Sequence, residues 1–182
     1  MSRLRALMHW FNQDDQHKGL RLMVLALLVL GSGLGLRDPW PPDEPALALM
    51  MRDMALSGEW LIPFLNGEPF SGHPPFVIWL GAAFYSVTGS LRLAFLLPSL
   101  LAAFGTMWLV FDLGRHLWGA RAGRLAAIVL LCCFQFSLQT HSGQVDAVFC
   151  FWTTLALYGL MRFMLLDAGP RWLVVAGAAI GF

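Results

Sequence analysis

The chain has 182 residues, of which 58% are hydrophobic and 13% charged, well under the roughly one-quarter charge of a soluble domain. Mean hydropathy of +0.64 therefore points to a polytopic membrane protein. A net charge of +1 gives no basic surface for nucleic acid, and Cys132, Cys133 and Cys150 lie in apolar runs at no metal-ligand spacing.

A helical span needs about 20 predominantly apolar residues. The first such run, 19–36, has no small-residue cleavage site and reads as a retained signal-anchor helix. Within it, Gly31-Ser32-Gly33-Leu34-Gly35 reads as a small-residue packing face, because the lysine of a phosphate loop does not follow. Residues 37–90 are polar by comparison and read as one loop. Inside it, Pro45–Ser57 carries apolar bulk at Ala46, Leu47, Leu49, Met50 and Met54 and a polar side at Arg52 and Asp53, which predicts a short interfacial helix. Gly58 is positioned to stop it, Trp60 to anchor it at the interface, and Asn66-Gly67 marks a turn. The aromatic run 75–89 begins at a Pro-Pro step and is short for a span. Further spans are expected at 91–113, 124–140, 145–166 and 172–182.

Charge asymmetry decides what the run 75–89 does. If it does not cross, the N-terminus and the loops 114–123 and 162–171 share the cytoplasmic side. They then hold Arg3, Arg5, Lys18, Arg21, Arg115, Arg121, Arg124, Arg162 and Arg171, nine of the twelve Lys and Arg. The outer side receives Asp38, Asp43, Glu44, Asp53, Glu59, Glu68 and Asp146. A crossing would carry Arg115, Arg121 and Arg124 outside, against the positive-inside tendency, so 75–89 is placed as a juxtamembrane or re-entrant helix on the outer face. The expected class is an all-α, polytopic transmembrane bundle whose first outer loop carries juxtamembrane helices.

This topology places Asp146, at the outer start of the fourth span, on the same face as Asp43 and His73. Ionisable groups near a bilayer tend to mark pathways or sites, and two acids with an imidazole could bind a cation, activate a hydroxyl or orient a phosphate. Plainer readings stand beside these. Asp43-Glu44 and Asp146 suit helix caps or first turns, and His73 suits an ordinary loop. His141 and Gln144 could support Asp146 or simply lie at the surface. Arg92 could snorkel to headgroups or meet an anionic ligand.

In order along the chain stand Asp43-Glu44, Met54-Ala55-Leu56-Ser57-Gly58-Glu59-Trp60, Pro63-Phe64-Leu65-Asn66-Gly67 and His73-Pro74-Pro75-Phe76. Arg92 through Pro98-Ser99, Gly114-Arg115-His116-Leu117-Trp118-Gly119 and Asp146 follow. This ordered set resembles the N-terminal part of the glycosyltransferase C superfamily. It is most similar to glycosyltransferase family 39 and the aminoarabinose lipid A transferases, relatives of the protein O-mannosyltransferases. The resemblance implies an inner-membrane enzyme with a cytoplasmic N-terminus and a periplasmic active loop. It would transfer a sugar from a polyprenyl-phosphate donor to a lipid or protein acceptor, among membrane lipids. By the same resemblance Asp43 is the main catalytic acid and general base, and Asp146 the second catalytic acid. Glu44, His73 and Arg92 are the candidate substrate-binding residues. His73 matches the His-Pro-Pro of mannosyltransferases where aminoarabinose transferases have lysine. Gly72 stands where that branch has glutamate, so its metal site does not carry over and a divalent cation is left open. Family members continue beyond five spans, so 1–182 is expected to be the N-terminal part of a glycosyltransferase module, inactive alone. The alternative is a non-enzymatic transporter or lipid-binding component. Its polar or broken helices would lie near the bilayer midplane, whereas polarity here concentrates in the outer loop.

Overall fold

The computed structural model describes residues 17–181 apart from 34, 37, 71, 73 and 74. Helix α1 runs over 17–30 and α2 over Asp43–Ser57. A two-strand hairpin, β1 Phe64–Leu65 and β2 Glu68–Pro69, leads to α3 Pro75–Thr88. Then come α4 Leu91–Trp118, α5 Ala120–Cys132, α6 Phe134–His141, α7 Asp146–Leu166 and α8 Arg171–Ile180. The all-α class holds.

The central helix is α4. Its apolar window is 61% buried against 22% for α7, and it touches α2, α3, α5, α6 and α7. Leu22, Met23 and Ala26 of α1 pack with Met107 and Phe111 of α4 and Ala127 of α5. Leu30 meets Leu100 and Ala103 one step further along. Close approach of α4 and α5 depends on Gly114 and Gly123: a β-carbon on Gly114 would stand 2.9 Å from the Gly123 Cα. The outward residues of α1, α5, α7 and α8, among them Leu28, Val129, Leu165 and Val174, are exposed and apolar. Such contiguous apolar surface suits lipid or further protein, not water.

Several sequence expectations change here. The apolar run 19–36 is helical only to residue 30. Gly33 and Gly35 have φ of +78° and +77°, so the glycine-rich stretch closes the helix as turns and does not form a packing face inside it. The run 124–140 is broken at Cys133, whose extended backbone (φ −68°, ψ 112°) separates α5 from α6 by a 65° bend. The Ser137 hydroxyl donates to the Leu131 carbonyl at 3.0 Å, satisfying an acceptor that the break leaves outside the helical ladder. Where five spans were expected, two helices among the described residues, α4 and α7, are individually long and apolar enough to cross, and three if α5 and α6 form one bent span. With 14 residues, α3 is about 21 Å long, short of the roughly 30 Å hydrocarbon layer.

The expected interfacial helix also differs in its surroundings. α2 does end at Gly58, in left-handed conformation with its N–H on the Met54 carbonyl at 3.2 Å. Its apolar face, however, is enclosed by protein. Leu47, Met50, Met51 and Met54 join Val77 and Ile78 of α3, Phe95 and Leu96 of α4 and Val148 of α7 in the largest core cluster. α2 and α3 thus form a packed cap over one end of α4 and α7. In the intervening hairpin, Asn66 and Gly67 both take positive φ, 55° and 84°, the pattern a two-residue hairpin turn requires.

Candidate functional site

The cap brings the two expected acids together. Asp43 and Glu44 occupy the first turn of α2, and Asp146 opens α7. Pro42 and Val145 hold the N-cap positions and no side chain caps either helix start, so the acids stay in first turns, where the helix dipole favours negative charge. Asp43, Glu44, Leu47, Gly143, Gln144, Val145 and Asp146 line one open cavity of about 170 Å³. It draws on two segments a hundred residues apart in sequence, which α4 and α7 hold side by side.

The three acids differ in surroundings. Asp43 is exposed and has no hydrogen-bond or ion-pair partner among the described residues. Asp146, also exposed, accepts a 2.7 Å hydrogen bond from Gln139 Nε2. Glu44 is buried, with 4% exposure. Its Oε2 accepts the Trp40 N–H at 2.8 Å and its Oε1 the Gly143 N–H at 2.9 Å. The Glu44 carboxylate, expected to bind substrate, is thus engaged by two backbone donors while the residue lines the cavity. Among the described residues, both carboxylate oxygens of Asp43 are unengaged, one of Asp146 is, and neither of Glu44 is.

Arg92 does not line the cavity. It pairs through Nε with Asp38 at 2.7 Å, both side chains mainly exposed. An exposed pair of this kind is worth less than about 1 kcal/mol, so an anionic group could displace Asp38 from it. His73 lies outside the described residues. His141 joins α6 to the turn after α1, with Nε2 3.0 Å from the Ser32 carbonyl oxygen and Nδ1 2.7 Å from that of Ser137.

The sequence reading missed two supports. Ser99, with 1% exposure, donates to the Gln144 carbonyl at 3.2 Å. Gly143 is packed so tightly against the Phe95 ring that a β-carbon has no room. The α6–α7 loop is thus fastened by its Gly143 N–H on one side and its Gln144 carbonyl on the other. A glycine three residues before the site acid was the only sequence signal of this. Among the described residues, no three His, Cys, Asp or Glu side chains group as a metal site, and position 72 is glycine. The described donors fall short of the usual three or more ligands.

Comparison with known proteins gives a consistent picture. The family model described as dolichyl-phosphate-mannose-protein mannosyltransferase matches residues 72–182. A protein of Aquifex aeolicus is 28% identical over 142 residues, covering 78% of this chain and 28% of its own length. The undecaprenyl phosphate-alpha-4-amino-4-deoxy-L-arabinose arabinosyl transferase of Pseudomonas aeruginosa is 29% identical over 158 residues, 83% of this chain and 28% of that protein. The crystal structure of ArnT from Cupriavidus metallidurans bound to undecaprenyl phosphate superposes with a TM-score of 0.84 at 24% identity, covering 91% of this chain and 31% of the other. The fold is shared, and the chain spans less than a third of the length of these relatives.

Proposed function

The chain belongs to the dolichyl-phosphate-mannose-protein mannosyltransferase family, and from that membership we propose that it forms the acceptor-activating part of a membrane glycosyltransferase using a polyprenyl-phosphate sugar donor. The observation that carries this reading is the convergence of Asp43 and Asp146 on one cavity, with Asp43 free of partners among the described residues. The names of the Pseudomonas relative and of the Cupriavidus structure, both with undecaprenyl phosphate, support a donor of that class.

In this mechanism an acceptor hydroxyl enters the cavity and attacks the anomeric carbon. The new carbon–oxygen bond forms as the bond to phosphate breaks, inverting the centre, and polyprenyl phosphate leaves with the electron pair. Asp43 takes the hydroxyl proton. Asp146, oriented by Gln139, adds negative potential beside the developing positive charge on the sugar. Arg92 would leave Asp38 for the donor phosphate, and by the family pattern His73 would contribute to substrate binding. The acceptor is a lipid or protein presented from the periplasm, and the sugar is not fixed by these residues.

A full-length glycosyltransferase module containing residues 1–182, in inner-membrane vesicles, is expected to consume a polyprenyl-phosphate-linked sugar and label an endogenous acceptor; donor left intact by that module with every sugar tried would sink the reading. Orientation is tested with single cysteines in a background lacking Cys132, Cys133 and Cys150. Cysteines replacing Gly58 and Ser142 should react with an impermeant maleimide from the periplasm, and one replacing Trp118 only after the membrane is opened. Labelling of positions 58 and 142 from opposite sides would dissolve the shared site.

A further inference from the structure

A buried carboxylate beside a catalytic one needs a reason, because a charge removed from water is costly unless fully hydrogen-bonded. Glu44 is held on both carboxylate oxygens by backbone donors. The Trp40 N–H belongs to the segment leading into α2, and the Gly143 N–H belongs to the loop leading into α7. Each is a charge-assisted bond, about twice as strong as a neutral one. The same entry segment carries Asp38, which holds Arg92 on α4. Glu44 is therefore where the segment before Asp43 and the loop before Asp146 are joined.

We propose that Glu44 is a positioning residue that fixes the spacing of Asp43 and Asp146 across the cavity. The assignment rests on the sugar-transfer reading of that cavity, while its structural half stands independently. The Gly143 N–H reaches Glu44 because Gly143 has no side chain to collide with Phe95, so loop, glycine and buried acid act as one unit. Glutamine at position 44 would accept from one N–H and turn its own amide N–H₂ toward the other, so one of the two joints must open.

The test is Glu44→Gln in the full chain, read by hydrogen exchange and by kinetics. Peptides covering 38–44 and 139–146 are expected to exchange faster while those within α4 and α5 keep their protection. kcat is expected to fall about 100-fold, the scale of a misplacement of about 1 Å, with donor KM unchanged. Unaltered exchange in both peptides would overturn the proposal whatever the activity, and this arm holds even if the protein transfers no sugar. A raised KM at unchanged kcat would also overturn it, since that pattern marks a residue binding substrate directly. If Glu44→Gln does not accumulate in the membrane, Glu44→Asp, one methylene short of spanning both donors, is judged by the same two outcomes.

Discussion

Replacing Asp43 with asparagine is expected to remove sugar transfer almost entirely, by about 10²–10⁴-fold in kcat, the usual contribution of a positioned general base, while the protein accumulates and unfolds as the wild type does. The separation of the two effects follows from the surroundings of the residue. Asp43 is exposed, lies in the first turn of α2, and has no hydrogen-bond or ion-pair partner among the described residues. The fold loses nothing beyond a favourable first-turn charge. Asparagine keeps the shape and the cavity wall but has no carboxylate to take a proton. Asp146→Asn should behave differently, because it weakens the bond from Gln139 and leaves the freer base in place, giving a smaller loss. Donor turnover by Asp43→Asn at the wild-type rate, measured in vesicles with matched protein levels, would remove Asp43 from the chemistry. Equal losses in both variants would mean that the two acids act as one unit.

How much of this was legible in the sequence depended on whether the signal was local. The stop of α2 at Gly58 and the hairpin turn at Asn66-Gly67 were readable because a positive φ leaves few residue choices. The ordered motifs from Asp43-Glu44 to Asp146 pointed to the glycosyltransferase family that the comparisons bear out. What failed was decided by distant partners. Cys133 has no sequence mark of a break, since neither proline nor glycine stands there, and the bend shows only once α6 turns back to place His141 and Gly143. Hydropathy ran straight through Gly33 and Gly35 because glycine is neutral on such scales while its backbone is not. Glu44 was grouped with Asp43 by adjacency, yet neighbours on a helix point about 100° apart. Both line the cavity, but Asp43 is exposed and Glu44 is buried on backbone donors. Asp112 vanished inside the apolar run 91–113 because one charge barely alters an average over some 20 residues.

That overlooked aspartate makes the second large effect, one of stability. Asp112 has 5% exposure. Its Oδ1 accepts from Arg115 Nη2 at 2.6 Å and its Oδ2 from the Tyr158 hydroxyl at 2.6 Å, with His116 Nδ1 at 3.2 Å and Arg162 Nη1 at 3.9 Å. Arg162 in turn lies 5.5 Å from the Tyr158 ring centroid and 5.0 Å from that of Trp172. One carboxylate thus joins α4 to α7, and through Arg162 to α8. Asp112→Ala is expected to lower unfolding stability by about 3 kcal/mol, the lower end of the range for breaking a buried pair, because Arg162 is left with its neighbouring charge gone and Tyr158 without an acceptor. The lower end is appropriate because Arg115, at 43% side-chain exposure, can turn to water. Asp112→Asn, which still accepts from Tyr158, should fall between the two, and Tyr158→Phe should cost far less in the Asp112→Ala background than in the wild type. From Arg92 to Asp112 is about 30 Å along α4 at 1.5 Å per residue, so transfer per folded molecule should stay at the wild-type level. Unchanged resistance to denaturant in Asp112→Ala would reduce the cluster to a surface ornament. A loss of kcat in protein that remains folded would instead join the two ends of α4 in a single working unit.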